Sequence, residues 1–272
     1  MTNNDATMKH LTFILLFIAS LSACAQNSAN NVDEKRMEAL LSKIRLKQAT
    51  DDDKKELQKM AVIIQNKGQD QDENQRQYKK SLATIDKAIV LFDALDDTLN
   101  VANNRKFKGY LLGRAGKLTE AKNEIEAAID LYRIKNMNAG VAVSQFDLAR
   151  IFEFENKTDS AIYYADISLS YWKSKEVDLR VLIINNMLVS LLLKSNQPEK
   201  AKAIQAASEL LAKKPQMHWQ AIIDFYFTSM LLYKTINDMA VAGDYRQLYA
   251  AKIVELRKDG INARSYYEND RD

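Results

Sequence analysis

Ala121-Lys122-Asn123-Glu124-Ile125-Glu126-Ala127-Ala128 is the stretch on which the fold turns. Reduced to its small and large positions it reads small-x3-large-x2-small, a spacing that lines three residues along one face of a helix. The same frame recurs at Ser81-x3-Ile85-x2-Ala88, at Ala161-x3-Ala165-x2-Ser168 and at Ala201-x3-Gln205-x2-Ser208, with first members a step of 40 apart. A second series, Gly109, Ala149, Val189 and Ser229, precedes the first in the same register. A third, Leu112, Phe152, Leu192 and Leu232, is apolar throughout. A fixed step of this size marks stacked repeats, each one supersecondary unit.

Each unit reads as two antiparallel helices joined by a short turn. Small residues belong where the two helices cross, because bulk there forces the axes apart. Gly109, Ala121, Ala128, Ala149, Ala161 and Ala201 are the predicted packing positions. Turn signals fall between the series: residues 113–117 with two glycines, Asn156-Lys157-Thr158-Asp159, and Asn196-Gln197-Pro198. Pro198 suits a first helical turn, and Pro215 suits a break between units. Residues 136–140 and 173–176 join successive pairs. With 7 Gly and 2 Pro in 272 residues, few turns use special backbone angles, which disfavours all-β folds.

Gly109, Leu112, Gly116, Ala121, Ile125 and Ala128 resemble the tetratricopeptide repeat (TPR). That family has Gly or Ala in the first helix, an aromatic or Leu three residues on, and small-x3-large-x2-small in the second. The other units depart further: Ala165 and Gln205 replace the large residue, and Val241 and Leu248 replace both small ones in the last unit. The 40-residue step is similar to the longer-helix variety found in bacterial regulators and kinesin light chains. The resemblance covers roughly residues 78–256 and implies an all-α fold, a right-handed α-solenoid of antiparallel helix pairs. Another helix-pair solenoid is the rival. Gly243 is expected to interrupt the last helix, ahead of a polar tail at 259–272.

Ahead of the array, Met37, Leu40, Leu41 and Ile44 keep a helical period, and Thr50-Asp51-Asp52-Asp53 reads as a cap with an acidic first turn. The expected organisation is a signal peptide at 1–23, a tether at 24–32, N-terminal helices at 33–76, the solenoid at 77–258 and the tail. Lys9-His10, an apolar run at 11–20 and small residues before Cys24 form a secretory signal peptide. The run is short for a membrane span, which leaves a retained signal anchor as the lesser alternative. Leu21-Ser22-Ala23-Cys24 resembles the lipobox of bacterial lipoproteins. The resemblance implies a diacylglyceryl thioether on Cys24, the lipid-attachment residue, and cleavage before it. Two or more acyl chains anchor stably. By the same resemblance, the absence of Asp at position 25 implies outer-membrane rather than inner-membrane retention, facing the periplasm.

Composition narrows the chemistry. Cys24 is the only Cys, and His10 and His218 are the only His. Ser-His-Asp and Cys-His catalysis need a His beside the nucleophile, and structural zinc sites need several such ligands. His218 reads as a surface or packing residue at a helix start. The formal charge of +3, from 39 basic and 36 acidic residues, offers no basic field for nucleic acid. Residues 109–117 fail the phosphate-loop spacing, since position 111 is Leu. Asp51, Asp52 and Asp53 belong to a helix start rather than a metal site. No catalytic residue, cofactor or metal ligand is expected. Tyr163, Tyr164, Tyr171 and Trp172, crowded on one helix, read as core between repeats.

The remaining site is the concave face, which in TPR arrays is lined by the first helix of each unit. Carried onto this register it comprises Lys106, Tyr110, Phe146, Arg150, Asn186, Ser190, Tyr226 and Met230. Lys106, Arg114, Arg150 and Lys194 would favour an acidic segment or a carboxylate terminus. The expected protein is a membrane-anchored interaction module of the bacterial envelope, holding a protein or peptide in this groove. A sensor of signalling peptides, an outer-membrane assembly factor and, least of all, an enzyme on an α/α scaffold stand as alternatives.

Overall fold

The computed structural model describes residues 34–73 and 78–271. The signal peptide, lipobox and tether lie outside them. Among the described residues are eleven α-helices and no strand: α1 Glu34–Arg45, α2 Asp51–Glu73, α3 Tyr78–Ala94, α4 Thr98–Arg114, α5 Leu118–Ile134, α6 Asn138–Phe154, α7 Thr158–Ser174, α8 Asp178–Lys194, α9 Pro198–Ala212, α10 Trp219–Thr235 and α11 Met239–Lys258. A 3-10 turn, Tyr266–Arg271, follows. The chain is an all-α array of antiparallel helix pairs. It divides into two compact units, Met1–Leu111 and Leu112–Asp272.

Six consecutive helices, α3 to α8, stop for a common reason. Asp96, Gly116, Asn136, Asn156, Glu176 and Asn196 all have positive φ, and they recur every 20 residues. After each, a backbone N–H reaches back five residues to a carbonyl: Asp97 to Phe92, Lys117 to Leu112, Met137 to Tyr132, Lys157 to Phe152, Val177 to Trp172 and Gln197 to Leu192. This is the Schellman closure, which satisfies the last carbonyls of a helix and needs a left-handed residue. Gly and Asn tolerate that conformation best. The 40-residue step is therefore two 20-residue helix-turn units with the same stop signal.

In the first unit, α2 packs against α3, and α1 lies against both. Gly68 sits at the α2–α3 crossing, where an added Cβ would stand 2.7 Å from Ile85 Cδ1. Ser81 Oγ donates to the Gly68 carbonyl at 2.6 Å. Thr50 caps α2 in a reciprocal box with Asp53: Asp53 N donates to Thr50 Oγ1 at 3.2 Å, and Thr50 N donates to Asp53 Oδ2 at 3.0 Å. Lys43, hydrogen-bonded at 2.7 Å, holds the Asp53 carboxyl down to about 2, with the Thr50 contacts adding to the effect.

In the second unit, α5 packs on α6, and the pairs α6/α7, α8/α9 and α10/α11 follow, with α8 also touching α10. Ala121, Ala128, Ala149, Ala161 and Ala201 are all fully buried, as the packing series requires. Gly109, in the first unit, is buried too. Serines at small positions tie second helices to first ones: Ser168 Oγ donates to Ala142 O at 2.7 Å, and Asn185 Nδ2 donates to Ser208 Oγ at 2.9 Å. Gln205 is explained by its partner. It is buried at the large position and donates to Ser229 Oγ at the facing small position.

Two expectations are corrected here. α11 runs through Gly243 without interruption, and an added Cβ there would meet nothing within 4 Å. The last helix also slips by one residue, because α10 ends in a left-handed residue at Asn237, 41 after Asn196. The buried small position of α11 is therefore Ala242, not Val241.

Candidate functional site

Within the second unit, the first helices α6, α8 and α10 present Phe146 and Arg150, Leu179, Ile183 and Met187, and Ala221 and Asp224 to one cavity of about 380 Å³. Its remaining wall is the chain itself. After α11, Gly260 turns left-handed with φ +77°, closing the helix as Ile261 N–H bonds to Leu256 O at 3.0 Å. Residues 261–265 then run without regular structure, and Ala263, Ser265 and Tyr267 are buried while Asn262, Arg264 and Glu268 are exposed. Through Ser265 that alternation is the signature of an extended segment lying with one side on a surface, and the chain then turns into the 3-10 helix Tyr266–Arg271.

The segment is held by specific polar contacts. Asp224 Oδ1 accepts from Ser265 Oγ at 2.9 Å, from Tyr266 N at 2.7 Å and from Gln220 Nε2 at 3.1 Å. Gln220 Nε2 also reaches the Arg264 carbonyl at 3.2 Å. Ser265 N donates to Tyr249 Oη at 3.2 Å, and Tyr249 Oη donates to Glu268 Oε2 at 2.5 Å. The Arg150 guanidinium lies 4.9 Å from the centroid of the Tyr266 ring, a cation–π distance. Tyr267 enters the apolar cluster that also contains Ala149, Ile184, Met187 and Phe227.

Burial sets the electrostatics. It pushes the Asp224 carboxyl above its usual range, while the donors from Tyr266, Ser265 and Gln220 and the charge of Arg150 pull the other way. Tyr249 is raised to about 12 by burial and by its bond to Glu268. Tyr267, fully enclosed, is raised well above the normal phenol value. His218, Asp224 and Ser265 share the cavity, but no catalytic relay joins them. Ser265 bonds Asp224 directly, and His218 Nδ1 caps α10 by accepting from Gln220 N at 3.2 Å. Asp224 is also the one carboxylate among the residues lining the cavity. Among the described residues no group of three His, Cys, Asp or Glu converges as metal ligands, and no helix is long and apolar enough to cross a membrane.

The residues expected on the groove are thus distributed. Phe146 and Arg150 line the cavity. Asn186 and Ser190 do not: both are buried, and Asn186 Nδ2 donates to Ala221 O at 3.0 Å, tying α8 to α10. Tyr226 joins Phe225 and Tyr245 in an aromatic cluster, and Met230 packs against the core. Lys194 pairs with Glu153 at 2.9 Å rather than facing a ligand. Arg114 is exposed at the end of α4. In the first unit Lys106 and Tyr110 are half-buried, with the Tyr110 ring 5.8 Å from Phe107. Tyr163, expected in the core, is exposed on α7, whereas Tyr164 stacks on Phe152 at 5.3 Å. Sequence reading missed Asp224 and Tyr249, whose partners come from the segment after α11. The Ser265-Tyr266-Tyr267 run inside the polar tail was the available signal.

No protein-family profile matches the chain, and no curated protein does. Solved structures do. BtubC (BKLC) from P. vanneervenii superposes with TM-score 0.60 at 16% identity, covering 84% of this chain and 93% of that one. The fold is TPR-like. A variant of a Podosopora anserina putative kinesin light chain with nearly identical TPR-like repeats gives 0.59 at 10% identity over 72% of this chain and 95% of that one. A second structure of those Podosopora repeats gives 0.56 at 11% identity, over 71% and 94%. The long-helix resemblance read from the 40-residue step is thereby matched at the level of fold.

Proposed function

We propose that this chain is a non-enzymatic, peptide-holding interaction module, tethered to a bacterial envelope membrane through lipid on Cys24. The observation that carries the binding role is the cavity on α6, α8 and α10. It already grips a stretch of chain, irregular to Ser265 and 3-10 helical from Tyr266, through main-chain and side-chain contacts, as a peptide-binding groove would. The TPR-like fold supports this reading, since such arrays present the first helix of each unit on their concave face. A lone carboxylate whose Oδ1 already accepts from three donors supports binding over glycoside hydrolysis, which uses a second carboxyl group across the scissile bond. The anchor and the outer-membrane location rest on the lipobox.

Two experiments test the proposal. A photo-crosslinking residue in place of Leu179, on the cavity wall, is expected to capture a protein partner in cells, while the same residue in place of exposed Tyr163 is not. Capture only from Tyr163, or from neither, would refute the groove. Cys24→Ala is expected to move the protein from the membrane to the soluble fraction; continued membrane retention would refute the anchor.

A further inference from the structure

We propose that residues 261–268 are a built-in surrogate for the groove's true ligand, and that a separate protein binds there by displacing them. This rests on the module reading above. The surrogate specifies the partner's chemistry. It runs without regular structure to Ser265 and turns into a 3-10 helix at Tyr266, with a small residue, then a hydroxyl residue two further on, then two consecutive aromatics and an acid, as in Ala263, Ser265, Tyr266, Tyr267 and Glu268.

Ala263 packs beside the cavity with Ile223, Ile253 and Leu256, and each later part of the pattern meets a residue of the array. Asp224 takes the hydroxyl and the following main-chain N–H together. An aromatic face is presented to Arg150. The second aromatic fills the apolar slot, and Tyr249 bridges the main chain and the acid. None of these groove residues depends on the segment for its place in the fold, because Arg150, Asp224 and Tyr249 belong to α6, α10 and α11.

The closure of α11 is complete at Ile261, whose N–H bonds to Leu256 O across left-handed Gly260, so rotation in the backbone after Ile261 frees the segment and leaves the hydrogen bonds of α11 intact. Asp224 is the element that makes exchange feasible in either direction: docked, its carboxylate is satisfied by the segment, and undocked, it is hydrated. The empty volume beside the segment, walled by Leu179, Ile183 and His218, gives an incoming peptide a first foothold before the surrogate leaves.

A tethered competitor acts at an effective concentration on the order of millimolar for a short flexible linker. An external peptide must therefore bind wild-type protein far more weakly than a variant whose own segment has been disabled. The probe is a labelled synthetic peptide of sequence 260–268, with both termini blocked. Full-length Tyr267→Ala is expected to bind it at least about tenfold more tightly than wild type, and Tyr267→Ala/Arg150→Glu to lose it. Equal, Arg150-independent binding, or no binding to a folded Tyr267→Ala, overturns the proposal.

Should Tyr267→Ala misfold, hydrogen exchange on wild type decides. Saturating probe is expected to speed exchange at 265–268 while α6, α8 and α10 stay protected, and unchanged exchange at 265–268 overturns the proposal. A tail-exchanged dimer in light scattering overturns it in favour of a second copy. Probe failure with Leu179 crosslinking intact removes only the surrogate. Probe success without a crosslinked partner removes the module reading.

Discussion

One substitution, Gly to Ala, is predicted to have opposite effects at two helical positions of this chain. At Gly140, in the first turn of α6, an added Cβ would lie 2.5 Å from Tyr132 Cδ1 and 2.7 Å from two further ring atoms. Tyr132 is only 2% exposed, and a buried ring has little room to swing aside. Overpacking of this kind costs about 1–3 kcal/mol. Against it stands the helix propensity of Ala over Gly, worth at most about 1 kcal/mol and less in a first turn. Gly140→Ala is therefore expected to lose roughly 0.5–2 kcal/mol. At Gly243, inside α11, a Cβ would meet nothing within 4 Å. Only the propensity gain remains, so Gly243→Ala is expected to stabilise by about 0.5–1 kcal/mol. Urea unfolding followed by far-UV circular dichroism measures both. An unchanged slope licenses comparison of midpoints, which matters in an array whose repeats can unfold separately. A Gly140→Ala protein as stable as wild type would refute the packing argument. A destabilised Gly243→Ala would show that the last helix is not formed as described.

Further outcomes follow from the same geometry. Ala121→Leu, at a fully buried crossing position, is expected to cost about 1–3 kcal/mol, and no loss on urea unfolding would mean that the repeat register is wrong. Glu176 holds φ +55° where its counterparts are Asn, Asp or Gly, so Glu176→Gly is expected to gain up to about 1 kcal/mol, and a loss would show that its side chain is needed there. Tyr132, Tyr245 and Tyr249 are each raised to about 12, chiefly by burial. A raised acid favours the protonated folded state, so stability from these groups falls as pH climbs from the normal phenol value through about 12. Ultraviolet titration should show a late-ionising class of tyrosines, and uniform ionisation near the normal phenol value would contradict their burial.

The fold was legible because its determinants are local and periodic. Small residues at 121, 161 and 201 mark the crossings, since only the absence of bulk lets two axes approach. Asn136, Asn156 and Asn196 mark the stops, since few residues accept positive φ. The same logic misread Gly243, because a glycine inside a helix costs stability without breaking it. It also misplaced Val241, because a one-residue slip leaves no local trace when both neighbouring positions are apolar or small.

Cavity residues were legible only where the repeat register reaches. Phe146 and Arg150 follow from register, and so would Asn186 and Ser190, yet those two are buried. What distinguishes them is how tightly α8 and α10 approach each other, which depends on partners 35 residues apart in sequence, such as Asn186 and Ala221. Asp224 carries no sign of its role in its own neighbourhood. It gains that role from Ser265 and Tyr266, about 40 residues on.

By itself, then, the sequence determined the helix pairs of the repeat array and their stops, because steric bulk and backbone angle act over a few residues, whereas the polar stretch from Lys67, which reads as a loop, is helical to Glu73. The use of the groove was decided by tertiary structure. Whether a Tyr-Tyr run after α11 is solvated or buried depends on whether an apolar slot, a carboxylate and a guanidinium lie within reach, and only the folded array brings those three together.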